Sequence, residues 1–325
     1  MTRVTIDGSQ GEGGGQMLRS GLSLSALRGR PLEMVNIRAS RPKPGLARQH
    51  LMCVQAAAAV CGARVTGAEI GSRHLVFEPG EIRGGDFRFD IGSAGSVTLV
   101  AQTVLPVLLR APWGSSVTIR GGTHVPFAPP WEFFAETYLP QLRRMGAEVE
   151  AELVAPGFYP AGGGEIRLRV KPFAAPRRYG LTDLGAYRGG TAVAVVSNLS
   201  RSLAQVEAEE VVNFLPDLNL EMDVREMRSP GPGNICQVRL VYDNLTLVFS
   251  EVGTKRRSRE ETVDALVDQV ERFLDSGEVL EEYVSDQLQL PLAEFLPEDH
   301  DVLWPRATNQ SLHFRTNAEV LGLFR

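Results

Sequence analysis

IDGSQGEGGGQMLRSGLSLSAL at residues 6 to 27 and DIGSAGSVTLVAQTVLPVLL at residues 90 to 109 carry one pattern twice: a short strand, a glycine-rich turn and an apolar helix. The pairs Gly8-Ser9 and Gly92-Ser93 lie 84 residues apart. CGARVTGAEI at 61 to 70 matches MGAEVEAELV at 145 to 154 with the same offset of 84, and VNIRAS with Arg38 matches VTIRGG with Arg120 at 82. Constant spacing over three landmarks is the mark of an internal repeat.

Each copy predicts a strand, a glycine turn, a helix, a strand ending in Ile-Arg, a loop, a second helix and closing strands. The second helix begins near Gly45 in the first copy and after Pro129-Pro130 in the second. Such a unit is two helices on one four-stranded sheet, so the expected class is α/β, of the α+β two-layer kind. A third copy follows an interruption: the helix-like VLEEYVSDQLQLPLAEF at 279 to 295, then Arg306 after a short strand, then LHFRTNAEVLGLF. The 186 residues from Arg120 to Arg306 exceed the period by about 100, the size of one small inserted domain. Its own stretches read as a strand (191 to 200), a helix (202 to 218), a hairpin (234 to 253) and an amphipathic helix closed by Gly277. The expected layout is a large domain over 1–183 and 279–325, with units near 1–80, 81–172 and 173–183 plus 279–325, and an inserted domain over 184–278.

The 325 residues carry a net charge of −5, which excludes a chain that holds nucleic acid by its overall charge. Residues 28 to 48 nevertheless set six basic groups against Glu33 alone, whereas 281 to 301 is acidic throughout. No apolar run approaches a membrane span and no leader opens the chain, so a cytosolic location is expected. Three cysteines without a CxxC pair, Cys53, Cys61 and Cys236, suggest neither a disulfide framework nor structural zinc.

SQGEGGGQMLRS sets four glycines before a helix, where backbone N–H groups can hold phosphate, although neither the P-loop nor the dinucleotide fingerprint fits. The same glycines could instead let the turn pass close to a neighbouring strand. Glu12 within the loop and Arg19 one turn on favour function, because a lone carboxylate beside a phosphate cradle can hold a divalent metal. Arg38, Arg41, Lys43, Arg48, Gln49 and His50 crowd one proline-stiffened loop, and the planar arginine fork suits phosphate. Of five histidines, His74 and His300 read as surface residues, and His50 and His124 as structural or supporting groups. His313 opens a helix after a polar stretch and would face a shared cleft, as a catalytic group or, less well supported by spacing, as a metal ligand.

Read together, DGSQGEGGGQMLRSGLSLS, IRASRPKPGLARQHL, GGDFRFDIGSAGSVTLVAQTVLP, APGFYPAGGG, EYVSDQLQLPLA and the terminal HFRTN resemble the RNA 3'-terminal phosphate cyclase family over nearly the whole chain. The resemblance implies three repeated units with a thioredoxin-like inserted domain. It implies a ligase that uses ATP and a divalent metal, Mg or Mn, to convert an RNA 3'-phosphate end to a 2',3'-cyclic phosphate. His313 matches the family's nucleophile, which forms a covalent histidine-AMP. Glu12 matches its metal-associated carboxylate, and Arg19, Arg38, Arg41 and Gln49 its phosphate-facing positions. Pro129 and Tyr283 match the pair that sandwiches adenine, and Gln102, Val284, Ser285, Asp286 and Gln287 fall at its other nucleotide contacts. RNA and ATP are the implied partners, with no membrane and no obligatory protein partner; a homodimer is left open. The chain stops at Leu323-Phe324-Arg325, before the family's usual closing strand. Two rival readings are a non-catalytic RNA-processing factor of the same fold, which the presence of His313 and Glu12 opposes, and an enolpyruvyl transferase, which leaves EYVSDQ unexplained.

Overall fold

The computed structural model describes residues 2–177, 179–296 and 311–325. In the first 80 residues the order is β1 (Val4–Asp7), α1 (Gly15–Arg28), β2 (Leu32–Val35), α2 (Arg48–Cys61), β3 (Arg64–Thr66) and β4 (Leu75–Glu78). The next stretch runs β5 (Gly85–Asp90), α3 (Val97–Leu109), β6 (Ser115–Gly121), a wide π-helical turn Phe133–Tyr138 continuing as α4 (Leu139–Met145), β7 (Val149–Ala155) and β8 (Gly164–Val170). The two sheets share one plan: β1-β2-β4-β3 and β5-β6-β8-β7, each with a parallel first pair and two antiparallel pairs.

Residues 187 to 276 form a third sheet on a different plan. β9 (Tyr187–Ser197), α5 (Arg201–Phe214), β10 (Glu221–Glu226), β11 (Gly233–Tyr242), β12 (Thr246–Val252) and α6 (Arg259–Ser276) give the order β10-β9-β11-β12. The hairpin expected at 234 to 253 is the antiparallel β11–β12 pair. A capping box between Ser258 and Glu261 starts α6, and Gly277 ends it in left-handed geometry. Beyond it lie α7 (Glu282–Phe295) and α8 (Leu312–Leu323), with no strand of their own among the described residues. The strand expected before Arg306, and His300, lie outside the described residues. The fold is thus mixed α/β. Among the described residues no helix is long and apolar enough to cross a membrane.

Helices, not sheets, form the centre. α1, α2 and α3 pack on one another, and α8 lies against α1 and α7. Twelve of the thirteen residues of α3 are buried, because its near-continuous apolar sequence has a neighbour on every side. Gln102 is the exception, and that opening marks the site. Gly21 lets α1 approach its own sheet, since a Cβ there would come within 2.8 Å of the Ile6 side chain. All three cysteines are buried and free.

One sequence expectation is corrected. The strand was expected to end in Ile-Arg in both copies, but β2 stops at Val35 and Arg38 takes a left-handed φ of 54°. That geometry turns its guanidinium back onto the carbonyls of Lys43 (3.0 Å) and Gly45 (2.8 Å), closing the proline loop. In the second copy β6 does run through Ile119-Arg120.

The third sheet is fastened to the second through a buried polar cluster. His124, fully buried, sets Nε2 3.0 Å from Glu132 Oε2, Gln237 of β11 donates to the same oxygen at 3.1 Å, and Thr137 Oγ1 donates to the carbonyl of Thr246 at 2.8 Å. Burial alone would push the Glu132 carboxyl up; the His124 ring and Gln237 hold it down at about 2. Removing one partner strands the other in a dry interface, so Glu132→Leu is expected to cost about 3 to 5 kcal/mol of unfolding free energy by denaturant titration. His124, between a supporting and a structural role on sequence grounds, is therefore a structural residue.

Candidate active site

Three elements meet over the first turn of α1. The glycine loop climbs from β1 and is gripped on both sides: Gly11 (φ 57°) passes so close to α8 that a Cβ would meet Thr316 Oγ1 at 2.4 Å, and Gly13 (φ 58°) would meet Ser40 Oγ at the same distance. Close approach, one of the two roles open to these glycines in sequence, is thus explicit in the structure. Thr316 Oγ1 also accepts from the Glu12 backbone N–H at 3.1 Å. Pinned in this way, the Glu12 carboxylate is 3% exposed and reaches Arg41 at 3.1 Å through Oε2 and the Gln16 N–H at 3.3 Å through Oε1.

His313 enters from the first turn of α8, which Ser311 caps by accepting from the Phe314 N–H at 3.1 Å. Its Nδ1 lies 2.9 Å from Gln16 Oε1 and 3.8 Å from Glu12 Oε2. Gln16 is fixed in turn, because its amide nitrogen donates to Asp286 Oδ1 at 2.5 Å. The amide oxygen therefore faces His313, and since it can only accept, Nδ1 is the donor; in the neutral ring this leaves the lone pair on Nε2. Behind this relay Asn317 Nδ2 donates to the Asp286 carbonyl at 3.2 Å, and Ser20 Oγ donates to Asn317 Oδ1 at 2.6 Å. Burial raises the Asp286 carboxyl to about 6, restrained by the Gln16 hydrogen bond and by the charges of His313 and Arg19.

A cavity of about 50 Å³ lies beneath, lined by Gln16, Arg19, Gln102, Asp286, Gln287 and Asn317 among others. It has room for a water or two and not for a nucleotide. On the open side Arg41 and His313 remain 45% and 44% exposed. Gln102 donates to Gln287 Oε1 across the cavity roof, joining α3 to α7. Burial lowers Arg19 from the usual guanidinium value, against the pull of Cys53, Glu12 and Asp286.

The remaining sequence candidates divide; Asn309 and Gln310, just before His313, carry no role on sequence grounds. Arg38 is spent partly on its own loop, as described above. Gln49 Oε1 accepts from the Ser96 N–H at 2.6 Å, tying α2 to the start of α3. Pro129 offers its carbonyl to Thr98 Oγ1 at 2.7 Å, and Tyr283 stands half-exposed at the first turn of α7. Val284 and Ser285 turn inward, 2% and 3% exposed. Asn309, Gln310 and Arg306 lie outside the described residues.

Sequence reasoning did not single out Gln16, Ser20, Thr316 or Asn317. Two faint signals existed: Gln16 falls four residues after Glu12, and Thr316-Asn317 lie within the quoted HFRTN.

His50 supports the loop from below. Burial, then Arg38, Arg19 and Arg41, push its ring down to about 3, and Nδ1 has no hydrogen-bond partner among the described residues. A folded value below the unfolded one adds stability that is present above about pH 6.5 and lost as pH falls toward 3. The expected loss is on the order of 4 kcal/mol, and His50→Gln should remove it, as read from denaturant titrations between pH 7.5 and 4.

A family model described as "RNA 3'-terminal phosphate cyclase" matches residues 10–325. A curated protein of Pseudomonas fluorescens with the name RNA 3'-terminal phosphate cyclase is 48% identical over 328 aligned positions, covering 99% of this chain and 92% of its own. Among solved structures, the enolpyruvyl transferase NikO from Streptomyces tendae aligns with a TM-score of 0.28 at 14% identity, over 51% of this chain and 33% of that one, a likeness too slight to carry an argument. With its family match running through the glycine loop to the helix that bears His313, this chain belongs to the RNA 3'-terminal phosphate cyclase family.

Proposed function

We propose that the chain is an ATP-dependent RNA-end cyclase that works through a covalent histidine-AMP. The observation that carries the reading is the half-exposed His313 ring, whose Nδ1 lies 2.9 Å from Gln16 Oε1 and 3.8 Å from the Glu12 carboxylate that also pairs with Arg41, which leaves Nε2 as the nitrogen for the chemistry. Nε2 attacks the α-phosphorus of ATP, the bond to the β-phosphate oxygen breaks, and pyrophosphate leaves. An oxygen of an RNA 3'-phosphate then attacks the same phosphorus, the P–N bond breaks, and His313 is regenerated as AMP passes to the RNA. The adjacent ribose 2'-OH attacks the 3'-phosphorus, loses its proton and expels AMP, which closes the 2',3'-cyclic ester. Dividing one displacement into three keeps a good leaving group at each stage.

Arg41, Arg19 and the free part of Arg38 would face the polyphosphate. Pro129 and Tyr283 would hold adenine, with Gln102, Asp286 and Gln287 beneath. The Glu12 carboxylate, an oxygen donor of the kind hard divalent cations take, would hold a magnesium or manganese ion whose other ligands are phosphate oxygens and water. That ion would supply positive charge for the leaving pyrophosphate.

On the same reading, the two sheets of common plan and the α7–α8 pair are three copies of one unit, interrupted by a thioredoxin-like domain, in a cytosolic enzyme. The test is an oligoribonucleotide with a 3'-phosphate, incubated with protein, ATP and magnesium and then treated with phosphatase. A terminal phosphate that becomes phosphatase-resistant only when ATP is present is the expected result; one that stays sensitive sinks the proposal.

A further inference from the structure

Phe127 is the most exposed large apolar side chain among the described residues, and its backbone lies at φ 62°. Left-handed backbone is disfavoured for any residue with a Cβ, and this ring gains no burial in return. Strain that stabilises nothing within the chain points to use by a ligand.

The frame beneath the ring is rigid. The N–H groups of Thr123 and His124 both donate to the Gly157 carbonyl, at 2.8 and 3.1 Å, and the Gly157 N–H donates to Thr123 Oγ1 at 2.8 Å. Buried Phe158 stacks on His124 with centroids 4.9 Å apart. The next residue, Tyr159, is 53% exposed, so two aromatic rings stand in the open on adjoining loops.

The platform continues to the starts of α3 and α2. Gly162 passes Ala94 so closely that a Cβ would meet its Cα at 2.8 Å. Two residues on, Ser96 is tied to Gln49. Arg48, exposed and without an ion pair among the described residues, has Nη1 3.7 Å from the Cβ position of Gly92. Contacts between neighbouring segments thus connect the exposed Arg48 and the Gly92 turn to the loops that carry the two exposed rings.

We infer that single-stranded RNA lies along this track, its 3'-phosphate at His313, an upstream phosphate against Arg48 and upstream bases stacked on Phe127 and Tyr159. The inference rests on the reading of an RNA end as substrate. Cations following a backbone and aromatic rings receiving bases suit a strand of any sequence. They also meet the need of an acidic chain to attract RNA locally.

The test is fluorescence anisotropy of a 5'-labelled decaribonucleotide with a 3'-phosphate, without ATP, alongside AMP labelling of the protein without RNA. Phe127→Gly relieves the backbone and removes the ring, so the melting temperature should not fall while the Kd rises about tenfold. Phe127→Trp should restore tight binding, and Arg48→Ala should weaken binding and flatten its salt dependence by about one phosphate. The loss should appear in RNA affinity and not in label formation. A Phe127→Gly protein that binds the oligonucleotide as tightly as wild type overturns the track alone. One that instead loses AMP labelling assigns the ring to the nucleotide, which also overturns it. A wild type that labels with AMP but binds no 3'-phosphate RNA overturns the RNA-end reading together with the track.

Discussion

His313→Ala protein, incubated with α-labelled ATP and magnesium, retains no radioactivity after denaturation, whereas wild type keeps a label that acid releases and alkali does not. That is the signature of a phosphoramidate. The expected loss is at least about a thousandfold, because removing a nucleophile leaves only binding and charge stabilisation behind. The fold should survive: the ring is 44% exposed and, among the described residues, its close side-chain hydrogen bond is to Gln16, so the melting temperature should stay close to wild type. A folded His313→Ala protein that still labels would remove His313 from the chemistry.

Gln16→Leu is expected to cut the labelling rate by about a hundredfold, although Gln16 touches no nucleotide in the scheme. The substitution keeps bulk but leaves Nδ1–H of His313 without its amide oxygen and Asp286 without its donor. A ring free to turn, or to carry its proton on Nε2, presents the wrong nitrogen, and misplacement on that scale costs about two orders of magnitude. The KM for ATP should change little, which separates orientation from binding; an unchanged rate would dismiss the relay. Asp286 adds a pH signature. Its folded value of about 6 lies above the unfolded 3.8, so its contribution to stability is full below pH 3.8 and is lost as pH rises through 6. Asp286→Asn should abolish that slope, read by denaturant titration between pH 4 and 7.

The glycine loop and the repeat were legible in sequence because both are local. Glycine turns before apolar helices and the β11–β12 hairpin each need only neighbouring residues to be recognised, and the period of 84 needs only such local patterns compared along the chain. Glu12, Arg41 and His313 stood out by their residue types and local patterns, but spacing alone does not say that residues 12 and 313 meet. The inward turn of Val284 and Ser285 was hidden for a related reason: EYVSDQ shows which residues sit on α7, but the face α7 buries depends on what packs against it.

The amino-acid sequence by itself determined most of the secondary elements, the β11–β12 hairpin and the residue types able to carry phosphate chemistry, since propensity, periodicity and turn chemistry act over a few residues. Only the tertiary structure decided that Gln16, 297 positions from His313, selects the ring nitrogen left free, that Asp286 holds Gln16, and that Ser20 and Asn317 brace them both. Those choices come from docking α8 and α7 against α1, where burial forces each polar group to find a partner whatever its distance along the chain.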